Sequence, residues 1–331
     1  MIGRTDVTAA ASRITGWVRR TPVAEVEPSA FGVPVWLKLE FLQHSGSFKP
    51  RGMFNRILAA RESGELTAAG VITASGGNAA LAVAHVAARL GVPAEVYVPE
   101  NAPEVKVRRL RALGAEVVQA GQEYSEAYDA ARKREADTGR LFCHAYDQPD
   151  VVAGQGTLAL ELQEQIDGFD TVLVAVGGGG LIGGIAAALE GAARVVGVEP
   201  TRAATMHAAL AAGRPVDVPV GGVAADSLGA RRLGQVAFDV AVRCGVTGVL
   251  VSDADLIATR RMLWHDHRVV VELGAAAALA ALRTGAYAPE PGERVVVVLC
   301  GANTDPSDLA VGDQLNSSQV GVSAPPRHPN S

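Results

Sequence analysis

Thr171-Val172-Leu173-Val174-Ala175-Val176-Gly177-Gly178-Gly179-Gly180-Leu181 decides how this chain folds. A run rich in β-branched residues enters four consecutive glycines without meeting a charge. Val172–Leu189 is uncharged throughout, and its length invites a test as a membrane span. Six of its residues are glycine, however. A buried strand over Thr171–Val176, a tight turn and a helix over Leu181–Leu189 account for the pattern better.

The same rhythm continues on both sides. Downstream, Arg194–Val198 reads as a strand, Ala203–Ala211 as a helix, and Arg294–Leu299 as a nearly continuous β-branched strand of the kind buried on both faces. Upstream, Val71–Ala74, Ala94–Val98 and Glu116–Val118 read as strands. Helical spacing marks Asn78–Leu90 and Pro103–Leu113, the second with Pro and an acid at its start and Gly114 at its close. Such alternation predicts an α/β fold of parallel-rich sheets covered by helices. A length of 331 residues suggests two domains. The pattern breaks at Tyr146-Asp147-Gln148-Pro149-Asp150, so a boundary is placed near His144–Val152.

Composition narrows the function. Hydrophobic residues make up 48% and charged residues 20%, as in an ordinary globular protein. A net charge of −5 gives no basic field for nucleic acid or anionic lipid. Lys38, Lys49, Lys106 and Lys133 are the only lysines, a short list of candidate Schiff-base formers. Cys143, Cys244 and Cys300 show neither disulfide-framework nor metal spacing, which points to a reducing, cytoplasmic setting. Met1–Val18 has no apolar core of a signal peptide, and the polar tail after Val311 is predicted to be disordered.

Four segments can carry chemistry, each beside a plainer reading. In Ser45-Gly46-Ser47-Phe48-Lys49-Pro50-Arg51-Gly52, a polar loop delivers Lys49 to a helix entrance, where Pro50 fits the first turn. The positive end of the helix dipole favours the neutral amine that a Schiff base requires. The alternative is a solvated surface lysine. Ala74-Ser75-Gly76-Gly77-Asn78 joins a strand to a helix, where small residues let amides meet an anion such as a carboxylate, or where Ser and Asn merely cap. The tetraglycine turn can cradle a phosphate. It also fits a dinucleotide fingerprint, Gly178-x-Gly180-x-x-Gly183, with Glu199 as the ribose acid, so an NAD-dependent oxidoreductase is a rival. Close helix packing is a third account of these glycines. Cys300-Gly301-Ala302-Asn303-Thr304-Asp305 follows a strand, where a polar atom faces the usual ligand crevice, or Cys300 is an inert buried thiol. The seven histidines, including His144, His265 and His267, read as solvated or structural.

Taken together and in order, these motifs resemble those of fold-type II pyridoxal phosphate (PLP) enzymes of the serine/threonine dehydratase and serine racemase family. The matching segments are Ser47–Gly52, Ser75–Asn78, Gly154-Gln155-Gly156-Thr157, Gly177–Gly180, Gly197-Val198-Glu199-Pro200 and Cys300-Gly301, within roughly residues 5–310. The resemblance implies the tryptophan synthase β-like fold. It implies a large PLP-binding domain (1–51 with 147–310), a small inserted domain (52–146) and a homodimer. It implies that Lys49 holds the cofactor and later acts as base, that Phe48 packs beside the ring and that Asn78 meets the ring hydroxyl. Gly177, Gly178, Gly179, Gly180 and Leu181 then offer amides to the phosphate, and Cys300 sits at the pyridine nitrogen. Ser75, Gly76, Asn78 and Ala79 hold the substrate, with Ser75 also catalytic. The implied reaction is elimination of water and ammonia from L-threonine, L-serine or a related β-hydroxy amino acid. β-Replacement is the alternative, and a PLP-binding protein without turnover is another.

Three departures qualify this. Relatives that racemise carry Ser where this chain has Gly76, so racemisation is expected to be poor. The family's His after the Asn is Ala79. Some relatives bind a divalent cation through an acid at Glu199, a backbone oxygen at Ala203 and an Asp where this chain has Thr205, so no metal is expected. The regulatory domain of biosynthetic threonine dehydratases is not expected either.

Overall fold

The computed structural model describes residues 1–27 and 30–310; the tail predicted to be disordered lies outside them. Helix α1 (Arg4–Ile14) buries Val7, Ala10 and Ile14. Strands β1 (Val23–Val26) and β2 (Val35–Lys38) form an antiparallel pair. Helix α2 (Lys49–Ser63) then leads to β3 (Val71–Ala74), β4 (Ala94–Val98), β5 (Glu116–Gln119) and β6 (Leu141–Phe142). These make a parallel sheet in the order β5-β4-β3-β6. The connections are α3 (Asn78–Leu90), α4 (Glu104–Ala112) and α5 (Tyr124–Thr138).

Helix α6 (Pro149–Gln165) returns the chain to the other sheet. There β7 (Thr171–Ala175), α7 (Gly180–Leu189), β8 (Arg194–Pro200), α8 (Thr205–Ala212), α9 (Ala225–Leu228), α10 (Gln235–Arg243) and β9 (Thr247–Val251) follow. Helices α11 (Asp253–His267) and α12 (Ala277–Thr284), strand β10 (Val295–Val298) and α13 (Ser307–Ala310) complete the described chain. The six-stranded order is β1-β2-β10-β7-β8-β9, parallel except for β1. Every residue of β7 and β10 is buried, as expected for a parallel sheet covered on both faces. In the small sheet the two-residue period of β3 sends Val71 to one core and Ile72 and Ala74 to another.

Differences from expectation are local and have causes. Pro103 caps α4 instead of opening it. Strand β8 runs on to Pro200 because Glu199 and Pro200 still pair with Leu250 and Val251. Four strands escape the sequence pattern: β1, β2, β6 and β9. β6 has only two residues, and β9 is an edge strand whose first two residues are exposed, so neither shows the usual apolar signal.

The Gly154–Thr157 motif is a packing device. A Cβ on Gly154 would lie 2.6 Å from the Arg51 carbonyl oxygen, and one on Gly156 2.4 Å from that of Gly184. Helix α6 therefore touches both α2 and α7 backbone to backbone, which fixes the Lys49 helix against the glycine-loop helix.

Candidate active site

The site collects at the carboxyl ends of strands from both sheets, the usual ligand crevice of open α/β folds. The polar loop after β2 delivers Lys49 to the first turn of α2. Its Nζ donates to the Ala145 carbonyl oxygen at 2.7 Å and lies 4.9 Å from the centre of the Phe48 ring. Burial lowers the Lys49 pKa to about 8, with Cys300 and Glu272 opposing that shift. The lysine is half-buried, and the surface-lysine reading fails.

Charge buried behind Lys49 fixes its helix. Arg51 pairs with Glu40 at 2.5 Å and Glu161 at 2.7 Å, and Lys38 reaches Glu161 at 2.8 Å. Arg51 and Glu40 are wholly enclosed. Burial opposes the Arg51 charge, but the two carboxylates outweigh it and hold its pKa above the ordinary value. Burial lowers the pKa of Lys38 despite its Glu161 partner.

On the facing side, the Phe48 amide donates to the Cys300 carbonyl oxygen at 3.0 Å, and Ser47 bridges to Gly301. Cys300 is buried, and desolvation drives its thiol pKa far up, so the sulfur stays protonated at neutral pH. Glu272 lies against Gly301, where a Cβ would meet its Oε1 at 2.5 Å. The Asn78 amide donates to both Glu272 oxygens at 2.9 and 3.0 Å, while Asn303 donates to Asn78 Oδ1 at 2.6 Å. Burial raises the Glu272 pKa to about 7, although Asn78 opposes the shift.

The glycine turn also has the right form. Gly179 has φ +87° and caps α7. The amides of Gly177, Gly178, Gly179 and Gly180 find no acceptor among the described residues. Free amides at the start of a ten-residue helix are a ready anion site. Leu181 follows in the first turn and is buried. The Tyr146 ring packs directly on Gly178.

Some expected residues are placed differently. Ala79 is buried in the small-sheet core and does not line the cleft, because its methyl points along the packed face of α3. Ser75 is half-buried, and its Oγ accepts the Gly77 amide at 3.2 Å, a local turn bond. Gly76 and Asn78 do line a cleft of about 680 Å³. Glu199 cannot serve a ribose. It is buried, its oxygens accept the Met206 and His207 amides at 2.7 and 2.8 Å, and it thereby anchors α8. Thr205 Oγ1 lies 3.2 Å from the same carboxylate and 2.6 Å from the Gly177 carbonyl oxygen. Ala203 is buried, with its amide on Pro200. Among the described residues no cluster of three or more His, Cys, Asp or Glu could hold a metal.

The structure adds residues that the sequence reading passed over, Glu272, the Ala145 carbonyl and Tyr146, and gives His144 a structural role. Burial lowers the His144 pKa to about 4, and its Nδ1 accepts the amides of Tyr146 and Asp147 at 3.2 and 2.8 Å. It braces the turn that presents the Ala145 carbonyl to Lys49. Glu272 did leave a trace, as the one acid in an otherwise apolar stretch, Val269–Leu282.

Comparison with known proteins agrees with this geometry. Residues 14–301 match the family model described as pyridoxal-phosphate dependent enzyme. The chain is 40% identical over 305 residues to a phenylserine dehydratase of Ralstonia pickettii, covering 90% of this chain and 92% of that protein. It is 37% identical to an L-threonine ammonia-lyase of Geobacter sulfurreducens, covering 94% of this chain and 78% of that one. The structure of maize serine racemase superposes with a TM-score of 0.87 at 30% identity, over 93% of this chain and 96% of that one.

Proposed function

The chain belongs to the family of pyridoxal-phosphate dependent enzymes, and from that premise we propose that it is an ammonia-lyase converting a β-hydroxy amino acid to a 2-oxo acid and ammonia. The observation that carries the proposal is one half-buried lysine of lowered pKa, in one crevice with a helix start whose amides are free. Relatives named phenylserine dehydratase and L-threonine ammonia-lyase support β-hydroxy amino acids as the substrate class, and L-threonine and L-serine are the proposed substrates within it.

The residues present fit PLP, the family's cofactor. The free amides of Gly177–Gly180, with Leu181, would hold its phosphate. Lys49 would hold its aldehyde, Phe48 and Asn78 would flank the ring, and the Cys300 thiol would face the pyridine nitrogen. Bound, PLP supplies a ring that accepts negative charge from the α-carbon.

The chain's own residues do the rest. A lysine with a pKa of about 8 keeps an appreciable neutral fraction near neutral pH, so Lys49 can take the α-proton as general base. The Ala145 carbonyl accepts from Nζ and aims the amine. Glu272 and Asn303 fix the Asn78 amide from both ends. A protonated thiol at Cys300 leaves the ring nitrogen less firmly charged than a carboxylate would, which favours prompt loss of the β-hydroxyl. Ser75, Gly76 and Asn78 form the turn that would take the substrate carboxylate, through amides and the Ser75 hydroxyl.

The two sheets are proposed as two domains, 1–51 with 147–310 and 52–146, with the crevice between them. A homodimer in the cytoplasm completes the proposal, resting on the family resemblance and on three unpaired cysteines.

The test is the visible absorbance of purified protein with added PLP, for wild type and Lys49→Ala, beside a 2-oxo acid assay with threonine, serine and phenylserine. A borohydride-reducible adduct that Lys49→Ala abolishes, together with oxo-acid release, supports the proposal. A wild type that stays colourless with PLP would sink it.

A further inference from the structure

The cleft beside the Asn78 turn is built for more than a methyl group. Its volume of about 680 Å³ lies in the range that holds a drug-sized ligand. A Cβ on Gly76 would meet nothing within 4 Å, so the turn itself leaves its floor open. Leu81, Leu110 and Leu273 line the walls. Val105 and Val223 stand on the two lips, 64% and 37% exposed, where large apolar side chains gain nothing from water. Lys106 and Asp226 of the same lining pair at 2.6 Å and so offset each other's charge, while Glu272 and Asp305 also border the cleft. Arg109 lines the same cleft and offers a cation of the kind that stacks on an aromatic face.

We infer that this wall is a side-chain subsite for an aryl group, so that the favoured substrate bears an aromatic ring on its β-carbon. The inference rests on the elimination reading above and goes further by ranking its substrates. A serine or threonine bound at the Asn78 turn would leave Val105, Val223 and Leu273 wet. A β-aryl group reaches that wall, removes apolar surface from water on both partners and places its ring within reach of Arg109.

The test uses the PLP-loaded enzyme and reads the ratio of kcat/KM for L-threo-phenylserine to that for L-threonine. The wild type is expected to favour the aryl substrate by about tenfold or more, the discrimination an apolar pocket provides. Val105→Asp and Val223→Asp place charge on exposed positions that the fold tolerates, and each should lower that ratio several-fold. A wild type that prefers threonine, or a ratio that neither variant moves, overturns the inference while leaving elimination intact. If no oxo acid forms from either substrate, the elimination reading fails instead. The subsite is then read by the shift in cofactor absorbance with L-phenylalanine against L-alanine, neither of which has a hydroxyl to lose. Tighter binding of L-phenylalanine supports the subsite, and equal or weaker binding removes it.

Discussion

Residues 75–77 and residues 177–179 are both short glycine-containing turns between a buried parallel strand and a helix, yet they use glycine for opposite reasons. In the second turn the protein fills the space a side chain would need. A Cβ would meet Leu228 at 3.2 Å from Gly177, the Tyr146 ring at 2.3 Å from Gly178 and Leu233 at 2.5 Å from Gly179. In the first turn a Cβ on Gly76 would meet nothing within 4 Å, and one on Gly77 only the Asp226 carbonyl oxygen at 3.8 Å. Packing and a positive φ demand glycine at 178 and 179. Among the described residues no contact demands it at 76, which fits the proposal that this space takes a ligand. The same sequence signature thus marks a tightly packed turn with free amides, proposed as the anion cradle, on one side of the crevice and an open turn, proposed as the substrate floor, on the other.

A third helix start, that of α2, shows how much rigidity Lys49 needs, and it carries the largest expected effect. Buried charge anchors it, beside the close glycine contact of α6. Arg51→Met would strand Glu40 in a dry site without the one cation it pairs with among the described residues, and leave Lys38 as the cation that remains on Glu161 there. The expected loss is about 3–5 kcal/mol in urea unfolding. A loss under about 1 kcal/mol would mean that packing of α6 alone holds the helix.

Lys49 itself gives the next effect. Its folded pKa of about 8 lies below the ordinary 10.5, and burial is the main cause. Between those values the unfolded chain binds more protons than the folded one, so the stability of the PLP-free protein rises with pH there. Below pH 8 the full penalty of the buried charge is present. Relative to Lys49→Met, the wild type should regain on the order of 3 kcal/mol across the window, at about 1.4 kcal/mol per pKa unit. Parallel stability curves for the two proteins would show that Lys49 is not desolvated.

The glycine cradle comes next. Gly179→Ala combines a φ of +87° with a contact on Leu233, and Gly178→Ala pushes the Tyr146 ring. Each should destabilise by about 1–3 kcal/mol. Each should also raise the dissociation constant for PLP, measured by absorbance titration, because the amides move. Unchanged PLP affinity in both would break the contrast between the two turns.

The sequence told much about these turns, because each lies in a strand–glycine–helix run whose period is visible without partners. The strands Val71–Ala74, Ala94–Val98 and Thr171–Ala175 and the entrance of Lys49 into a helix were legible in this way. What sequence could not show was which space is filled. Tyr146 meets Gly178 and Glu272 meets Asn78 only through folding, across 32 and 194 residues of chain. Nor does sequence reveal that the Ala79 methyl faces a core, which leaves only its backbone for the substrate contact that the resemblance implied. Glu199 carried the right separation for a ribose acid, but two helix amides already occupy it. Family resemblance filled part of this gap by ordering the motifs.

The smallest expected effect is the most discriminating. Gly76→Ser adds a side chain where the fold leaves room, so thermal unfolding should change by no more than about 0.5 kcal/mol. Function should change while stability does not. The hydroxymethyl group narrows the floor beside the Asn78 turn, so KM for a β-aryl substrate should rise more than KM for threonine. The new hydroxyl also stands near the substrate with a proton to give, so the ratio of D-serine to pyruvate formed from L-serine should rise from a low wild-type value. If Gly76→Ser instead unfolds the protein, the space at residue 76 belongs to the fold, and the two glycine turns are alike after all. If it leaves stability, KM and product ratio all unchanged, the floor is not where the substrate rests. Only a variant that is silent in stability and clear in kinetics separates a glycine kept for packing from one kept for a ligand.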